Sequence, residues 1–457
     1  MARLNTRPVS RHDAVTHGGV PAYGDQTLTP LQQLRRSVMA CMLWEDEFYE
    51  DGESIADRIA RLVAKVTPEE AWIVAIEART QGNLRHAPLW VAAAMAKHHK
   101  GAYVGKTVEA VVQRADELAE LLVLIAKLNG VGPDRVKRHL SAQVKRGLAR
   151  AFQKFDAYQL AKYNRDNAVK LRDVLFLVHA KPQNELQAEA WKKLIDGTLE
   201  SPDTWEVSLS AGADKKETFT RLLREKKLGY LATLRNLRNM VEAGVDRDLV
   251  SKRLMDPAGA ARVLPFRFIA AVRHAPSFAK ELDWALRRSV LAQYTLPGKT
   301  AILVDVSGSM DAPLSRKSDM KRIDAAAALA SVAPCEERRV FTFSDRLVEV
   351  ANWEGLPGVD AIIRSQPHSS TDLAGAVAQI NRMGFDRLIV ITDEQATFVG
   401  NAAYAVHYGG PVPDPVAPKA YCINVASAKN GIGYKKWVHC DGFSESILRW
   451  IVEYERG

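Results

Sequence analysis

The spacing of apolar residues changes abruptly near residue 295, so this chain of 457 residues contains two parts that must fold differently. Up to about residue 290, apolar residues recur three and four positions apart, which is the spacing of an amphipathic helix. Beyond residue 295, continuous apolar runs alternate with helical stretches, which is typical of a mostly parallel sheet covered by helices on both faces. The sequence therefore predicts a multidomain protein, with an α-helical part followed by an α/β part.

The first part, residues 30–294, is predicted to consist of many helices of about 10–20 residues separated by short breaks. Pro68, followed by two glutamates, marks one helix start, and Gly130 and Gly244 mark two helix ends. Such a series is typical of stacked helical pairs, as in HEAT-type solenoids. A compact bundle is the alternative, because no fixed sequence period is visible. Residues 1–29 are expected to form a partly flexible segment.

The second part, residues 295–457, is predicted to be a doubly wound α/β domain. Two of its strands end in an aspartate, Asp305 and Asp393. In such sheets, ligands bind beyond the carboxyl ends of the strands, near the point where the strand order reverses. The predicted strands cover residues 299–306, 338–344, 346–351, 386–393 and 419–426, and the predicted helices cover residues 321–333, 371–383 and 444–455.

Composition and patterning limit where the protein is expected to work. No apolar run reaches the length of about 18 residues that a membrane span needs, and the N-terminus lacks the apolar core of a secretory signal. The four cysteines contain no CxxC pair, which argues against a disulfide framework or a zinc site. We therefore expect a cytoplasmic protein with reduced thiols at Cys41, Cys335, Cys422 and Cys440.

The basic excess of the chain belongs to its helical part. Residues 1–290 contain 46 Lys and Arg against 35 Asp and Glu, whereas residues 291–457 contain 17 against 19. An excess confined to one part suggests a polyanionic partner for that part, most simply a nucleic acid. The alternative is that the excess serves only solubility.

A set of hydroxyl and carboxyl side chains is predicted to form a metal site in the α/β part. Asp305, Ser307 and Ser309 form a D-x-S-x-S sequence directly after a strand, Thr371 opens a predicted helix, and Asp393 ends another strand. Mg²⁺ prefers oxygen ligands, requires octahedral geometry and retains several waters. Two hydroxyls at positions i and i+2 can ligate the ion, and the carboxylates can hold its waters. The alternative is an inert loop in which the serines cap a helix.

With this motif, residues 296–457 resemble the von Willebrand factor A family and its metal-ion-dependent adhesion site. The D-x-S-x-S sequence, the threonine and the second aspartate match in order and spacing. The resemblance implies a Rossmann-like domain in which Ser307, Ser309 and Thr371 bind Mg²⁺ directly, while Asp305 and Asp393 act mainly through water. It also implies an open metal position that can receive a carboxylate of a partner.

The helical part carries a second resemblance. Residues 162–182, KYNRDNAVKLRDVLFLVHAKP, resemble the signature of the TROVE domain of Ro autoantigen proteins, and residues 226–240 and 263–272 resemble later parts of that domain. A TROVE domain followed by a von Willebrand A domain is the Ro architecture. The resemblance implies a ring of helical repeats that receives single-stranded 3′ ends of misfolded RNA and binds small structured Y RNAs on its basic outer surface.

Within this signature, Lys162 and His179 fall on positions that contact Y RNA in the family. Asp166 stands where the family has a basic residue, and the neighbouring Arg165 is the candidate to replace it. Independently of the resemblance, residues 135–150 are predicted to be helical with Arg138, Lys145 and Arg146 on one face, as expected of a phosphate-binding surface. The acidic segment 46–53 would repel RNA, so binding cannot be uniform around the protein.

Three functions are compatible with these features. The first is a non-catalytic RNA-binding protein that resembles Ro and can deliver RNA to an exonuclease, with no membrane partner. The second is an adaptor whose metal site binds an acidic protein partner while the helices serve as scaffold. The third is a hydrolase that uses Mg²⁺, for which Glu394 is the nearest candidate base. The GKT sequence at 298–300 is not a phosphate-binding loop, because Gln293 replaces the leading glycine and a strand follows.

Overall fold

The computed structural model describes residues 29–39, 52–82, 84–289, 295–314, 319–393, 412–425, 436–441 and 446–456. The expected flexible segment 1–29, except for Thr29, lies outside these residues, as do Cys41, most of the acidic segment and Glu394.

The part before residue 290 is helical throughout its described length, as predicted. Short non-α turns interrupt the series, namely a π-helix at Glu77–Gln81 and 3₁₀ helices at Pro133–His139 and Pro276–Phe278. The α-helices are α1 (Pro30–Met39), α2 (Gly52–Val63), α3 (Pro68–Ile76), α4 (His86–His98), α5 (Ala102–Val111), α6 (Asp116–Leu128), α7 (Ala142–Phe152), α8 (Ala157–Tyr163), α9 (Leu171–Val178), α10 (Glu185–Asp196), α11 (Trp205–Ser210), α12 (Lys215–Arg224), α13 (Tyr230–Arg235), α14 (Leu237–Glu242), α15 (Arg247–Leu254), α16 (Pro257–Ala260), α17 (Pro265–His274) and α18 (Ala279–Arg288).

These helices stack on near neighbours in sequence, which is the arrangement of an α-solenoid. In the first half of the series, α2 contacts α4, α3 contacts α5, α4 contacts α6 and α5 contacts α7. Two hydrophobic cores result, one between Leu34 and Leu194 and one running from Phe219 to Leu286 and joined by Val332. Helices that contact mainly the next pair form an extended stack instead of a bundle around one centre, so the predicted solenoid is confirmed over the compact bundle.

Local sequence decides where several of the helices begin and end. The hydroxyl of Thr67 accepts the amide of Glu70, and the Glu70 side chain accepts the amide of Thr67, so a capping box starts α3 ahead of Pro68. Gly130 adopts a left-handed φ of 65° just past α6 and allows the chain to turn there.

The helical spacing of apolar residues across 108–130 predicts one helix there, and this prediction is wrong, because α5 ends at Val111 and α6 begins at Asp116. The carboxylate of Glu117 accepts the amides of Gln113 and Arg114 and closes the turn between the two helices.

The α/β part contains a six-stranded sheet in the order β3-β2-β1-β4-β5-β6. Strand β3 is antiparallel to β2, and the other neighbours are parallel. The order reverses between β1 and β4, as in doubly wound sheets. The strands are β1 (Leu296–Asp305), β2 (Cys335–Phe343), β3 (Leu347–Val350), β4 (Arg387–Thr392), β5 (Lys419–Asn424) and β6 (Val438–Asp441), and the helices are α19 (Arg322–Ser331), α20 (Leu356–Ile363), α21 (Leu373–Ile380) and α22 (Ser446–Arg456).

Alternate residues of the central strands pack on opposite faces of this sheet. Ile302 and Val304 of β1 face α19, α20 and α22, whereas Leu303 faces α21. The five predicted strands and three predicted helices are present with shifts of a few residues. Strand β6 and helix α20 are not predicted by the sequence, although Pro357 stands at the first turn of α20.

The two parts contact each other at both ends of the helical series. Helix α1 lies against β6, and α17 lies against α19. At the second contact, the guanidinium of Arg273 binds both carboxylate oxygens of Asp324 at 2.5 and 2.9 Å, and Asp324 is 1% exposed. The helices therefore form an arc whose ends are joined by the α/β part. Within the described residues, no helix has the length and apolar character needed to cross a membrane.

Candidate metal centre and nucleic-acid interface

The loop after β1 holds three of the predicted metal-site residues close together. A carboxylate oxygen of Asp305 accepts the amide of Ser307 at 2.8 Å, and the two hydroxyl oxygens of Ser307 and Ser309 lie 3.2 Å apart. Asp305 and Ser307 are fully buried, and Ser309 is half-buried. The carboxylate thus fixes the start of the loop, so that the two hydroxyls converge toward its partly exposed side.

Thr371 lies on a second loop that is pinned beside the first. The carbonyl of Ser369 accepts the amide of Gly308 at 3.0 Å, and the carbonyl of Ser344, just after β2, accepts the amide of Asp372 at 2.8 Å. Thr371 stands between these two anchored positions and is 5% exposed. Helix α21 begins after Asp372, so Thr371 precedes this helix by two residues instead of opening it.

Asp393 follows β4 at the same edge of the sheet. The neighbouring Thr392 donates its hydroxyl to Asp305 at 2.6 Å, which joins the ends of β1 and β4. Burial, together with the charge of Asp393, raises the pKa of Asp305. Asp393 also accepts a hydrogen bond from the buried guanidinium of Arg322 at 2.9 Å, so this site contains a positive charge of its own.

The donor set fits a magnesium ion. Neighbouring ligands of an octahedral Mg²⁺ lie about 3.0 Å apart when each is about 2.1 Å from the ion, which is close to the observed spacing of the two serine hydroxyls. Among the described residues, no group of three His, Cys, Asp or Glu side chains is placed to bind a metal. A site built from hydroxyls, two carboxylates and water suits a hard ion that keeps its waters, and it does not suit zinc.

In the signature segment, Lys162 is exposed at the last turn of α8. Its ammonium lies 5.9 Å from the ring centroid of Tyr158 and 5.7 Å from that of Tyr163, while Arg114 stacks over Tyr163 at 4.6 Å. Tyr158 is 44% exposed. At such a surface, the ammonium can contact a phosphate and the exposed tyrosine ring can stack on an unpaired base.

His179 occupies an unusual backbone position at the end of α9. Its φ of 52° and ψ of 42° are left-handed, a conformation that is uncommon for residues other than glycine. Although an apolar run precedes it, its side chain is exposed and does not pack into the core. The left-handed turn ends the helix and presents the imidazole to solvent, as a binding residue requires.

One of the two acidic residues in this signature, Asp166, is neutralised by a neighbour. The ammonium of Lys170 lies 2.7 Å from the carboxylate of Asp166. The hydrogen bond from Lys170 lowers the pKa of Asp166. Arg165 is exposed next to this pair. The ion pair therefore offsets the negative charge that Asp166 adds to this surface.

The prediction that Arg138 shares a helix face with Lys145 and Arg146 is wrong. Arg138 belongs to the 3₁₀ helix, and the chain becomes extended before Ser141, whose hydroxyl accepts the amide of Val144 to start α7. Arg138 and Arg146 are exposed, and Lys145 is half-buried.

The end of α7 connects these charges to the segment that follows His179. Gln153 donates its side-chain amide to the carbonyl of Lys181 at 2.8 Å, and Gln187 donates to the carbonyl of Gln153 at 2.8 Å. Helix α7 also contacts α9. The structure therefore places the cations of α7 on an element that directly adjoins the signature segment.

Two residues that contribute charge to these sites are not predicted from the sequence. Arg322 neutralises Asp393, and Lys170 neutralises Asp166. A signal for Arg322 exists in the sequence, because a basic residue in the first turn of a helix opposes the helix dipole and needs another reason to be there. Lys170 stands four residues after Asp166, a spacing at which ion pairs commonly form on helices, but these two residues precede α9.

Comparison with known proteins gives matches to both parts of the chain. The TROVE domain family matches residues 31–197 and 197–295. Telomerase protein component 1 of Mus musculus is 36% identical over 78 residues, and that of Rattus norvegicus is 35% identical over 78 residues. Each alignment covers 16% of this chain and 3% of the relative, so the chain spans only a small fraction of these proteins.

A solved structure resembles nearly the whole chain. The crystal structure of the Ro (RSR) protein of Deinococcus radiodurans aligns with a TM-score of 0.60 and 19% identity, covering 93% of this chain and 100% of that chain. This likeness concerns the fold: a helical repeat domain followed by a von Willebrand A-type domain.

Proposed function

The chain belongs to the TROVE-domain family of Ro autoantigen proteins, and on that premise we propose that it is a non-catalytic RNA-binding protein. Its basic outer surface binds a small structured non-coding RNA of the Y type, and the arc of helices receives single-stranded ends of misfolded RNA. The protein then serves RNA quality control or hands RNA to an exonuclease.

The observation that carries this proposal is the exposure of the signature residues. Lys162, Arg165 and His179 all lie on the surface, and Asp166, which stands next to Arg165 in the sequence, is paired with Lys170. Phosphate contacts by such residues give affinity without sequence reading, so RNA shape and unpaired bases must supply specificity. The basic excess of residues 1–290 adds long-range attraction.

The α/β part adds a proposed magnesium site. Ser307, Ser309 and Thr371 would hold the ion, with Asp305 and Asp393 holding its waters. When bound, Mg²⁺ would offer a coordination position to a carboxylate of a protein partner. The chain itself orients the two serine hydroxyls through Asp305 and limits the negative charge of the site through Arg322. Because the site carries little net negative charge, a bound ion would still attract a carboxylate of a partner. This favours the second candidate function, a metal-dependent adaptor, as an activity of the α/β part alone.

Substitution of the signature residues tests RNA binding directly. We expect Lys162→Glu combined with His179→Ala to weaken binding of a structured RNA by at least tenfold, because one phosphate contact becomes a repulsion and a second contact is lost. Affinity is measured by filter binding at fixed salt, and thermal melting verifies the fold.

Lys252→Glu is the matched control, since Lys252 is also exposed, lies on the distant α15 and undergoes the same change of charge. It should bind RNA with an affinity within about threefold of the wild type, a difference of roughly 0.7 kcal/mol. Equal affinity of the double variant and the wild type would overturn the assignment of this surface.

A further inference from the structure

A cavity of about 320 Å³ opens where the helical part meets the α/β part. Its walls come from α13, α14 and α17, and Asp319, three residues before α19, closes one side. We name it the junction cavity. None of the residues in the proposed metal site or on the signature surface lines it.

Three guanidinium groups from three different helices, α13, α14 and α17, surround the junction cavity. Arg235 is exposed at the last turn of α13 and makes no ion pair with any residue in the described part of the chain. The Nε atom of Arg238 lies 3.6 Å from a carboxylate oxygen of Glu242. Both side chains are more than 60% exposed, so this ion pair contributes little to stability. Arg267, on α17, lies over the ring of Phe266 at 5.5 Å.

The position of these arginines is not explained by helix stability alone. The chain turns at Asn236 between α13 and α14, which brings Arg238 into the first turn of a new helix. A cation in the first turn opposes the helix dipole, so its placement there is unfavourable for the helix.

The rest of the lining indicates which anion would fit. Leu231, 43% exposed, contributes an apolar wall together with two alanines of α17. Asp319 is 87% exposed, with its carboxylate 3.8 Å from the imidazole of His274. The volume lies at the lower end of the range for small-molecule sites, about 300–1,000 Å³. A ligand that carries one anionic group, a flat apolar surface and hydroxyl donors matches this lining.

We propose that the junction cavity binds one nucleotide unit, with its phosphate on the guanidinium groups and its base against the apolar wall. Guanidinium groups bind phosphate oxygens in pairs and stack on bases. The carboxylate of Asp319 accepts hydrogen bonds from ribose hydroxyls and repels a second anion, which disfavours an acidic peptide. The unit is a free nucleoside monophosphate or the terminal nucleotide of a strand, since both present the same groups.

Binding of adenosine 5′-monophosphate to the full chain, measured by calorimetry, tests the proposal. We expect it to bind at least tenfold more tightly than inorganic phosphate, and Arg235→Ala to weaken it at least fivefold. Arg224→Ala is the matched control, because Arg224 is also exposed at the last turn of a helix. A monophosphate that binds no better than phosphate, or Arg235→Ala with wild-type affinity, would overturn the proposal.

Two further arms separate the ligand sources and the two RNA claims. A short single-stranded oligonucleotide that competes with the monophosphate identifies a strand end as the source, and failure to compete identifies the free nucleotide. The Lys162→Glu, His179→Ala variant should bind the monophosphate as the wild type does, because its changes lie on α8 and just after α9. If this variant loses RNA binding but retains monophosphate binding, the signature surface and the junction cavity are separate sites. Failure of one proposal is then distinguishable from failure of the other.

Discussion

A buried arginine, Arg322, sets the charge of the proposed metal site. Its guanidinium is 4% exposed and binds Asp393, which lies next to the fully buried Asp305. Two buried carboxylates without compensation would repel each other strongly, because the interior screens charge poorly. Arg322 removes part of that repulsion in the protein without metal, and it opposes an incoming cation at the same time.

We therefore predict that Arg322→Gln binds Mg²⁺ at least tenfold more tightly than the wild type, as a repulsion of about 1.4 kcal/mol or more is removed. Calorimetric titration measures the affinity. The same variant should melt at a lower temperature in the absence of Mg²⁺, because Asp393 loses its buried partner. Asp305→Ala serves as the comparison and should abolish binding. Unchanged affinity in Arg322→Gln would contradict this role.

Single residues also mark the limit of what the sequence predicts. Asp305 and Asp393 are recognisable because each ends a continuous apolar run, and strand ends in a parallel sheet meet at one edge. The first-turn position of Arg322 is a signal, but it does not identify Asp393 as the partner, because the two residues are 71 positions apart. Arg235 is not recognisable as a cavity residue, because the cavity forms only where α13, α14 and α17 meet. His179 is ambiguous in sequence, since an apolar run before a histidine fits both a packed ring and an exposed one.

At the scale of elements, one ion pair fastens the helical series to the α/β part. Arg273 of α17 holds Asp324 in the first turn of α19, and Asp324 also accepts the amide of Lys321 at 2.7 Å. Asp283 of α18 makes a similar contact by accepting the amide of Leu356 at 2.7 Å, at the start of α20. Helix α18 thus provides a cap for α20, and α17 holds the carboxylate that caps α19.

Loss of the first contact should be measurable as lost stability. We predict that Arg273→Leu lowers the free energy of unfolding by about 1–3 kcal/mol, because the buried carboxylate of Asp324 loses its charged partner. Urea denaturation followed by circular dichroism gives the value. Arg262→Leu, at an exposed position in the same helical part, should change the free energy of unfolding by less than about 0.5 kcal/mol. Equal stabilities would refute the role of the pair.

Element boundaries are where prediction from sequence fails most often in this chain. The charged, amphipathic pattern continues across residues 135–150, so periodicity alone cannot reveal the break before Ser141. The cap at Ser141 and the Gly132-Pro133 pair were the available signals. Strand β6 spans four residues at the edge of the sheet and exists through its pairing with β5, which no local pattern encodes.

At the scale of the whole molecule, the two parts divide the charge between them. The helical part holds the basic excess and the α/β part is slightly acidic, yet contacts at α1 and α17 join them into one closed arrangement. RNA binding by the first part and metal-dependent binding by the second can therefore operate on one molecule. The change of pattern near residue 295 predicts this division, whereas the closure depends on tertiary contacts.

The central claim is that RNA is held by phosphate contacts on the helical part, and the salt dependence of affinity tests it most directly. Five of the six proposed contact residues carry a full charge at neutral pH, namely Arg138, Lys145, Arg146, Lys162 and Arg165. If all five neutralise phosphates, the logarithm of the association constant should fall against the logarithm of salt concentration with a slope of about −4. We predict such a slope for a structured RNA between 50 and 200 mM salt, a loss of about 250-fold. No binding at physiological salt, or an affinity that does not change with salt, would contradict the account.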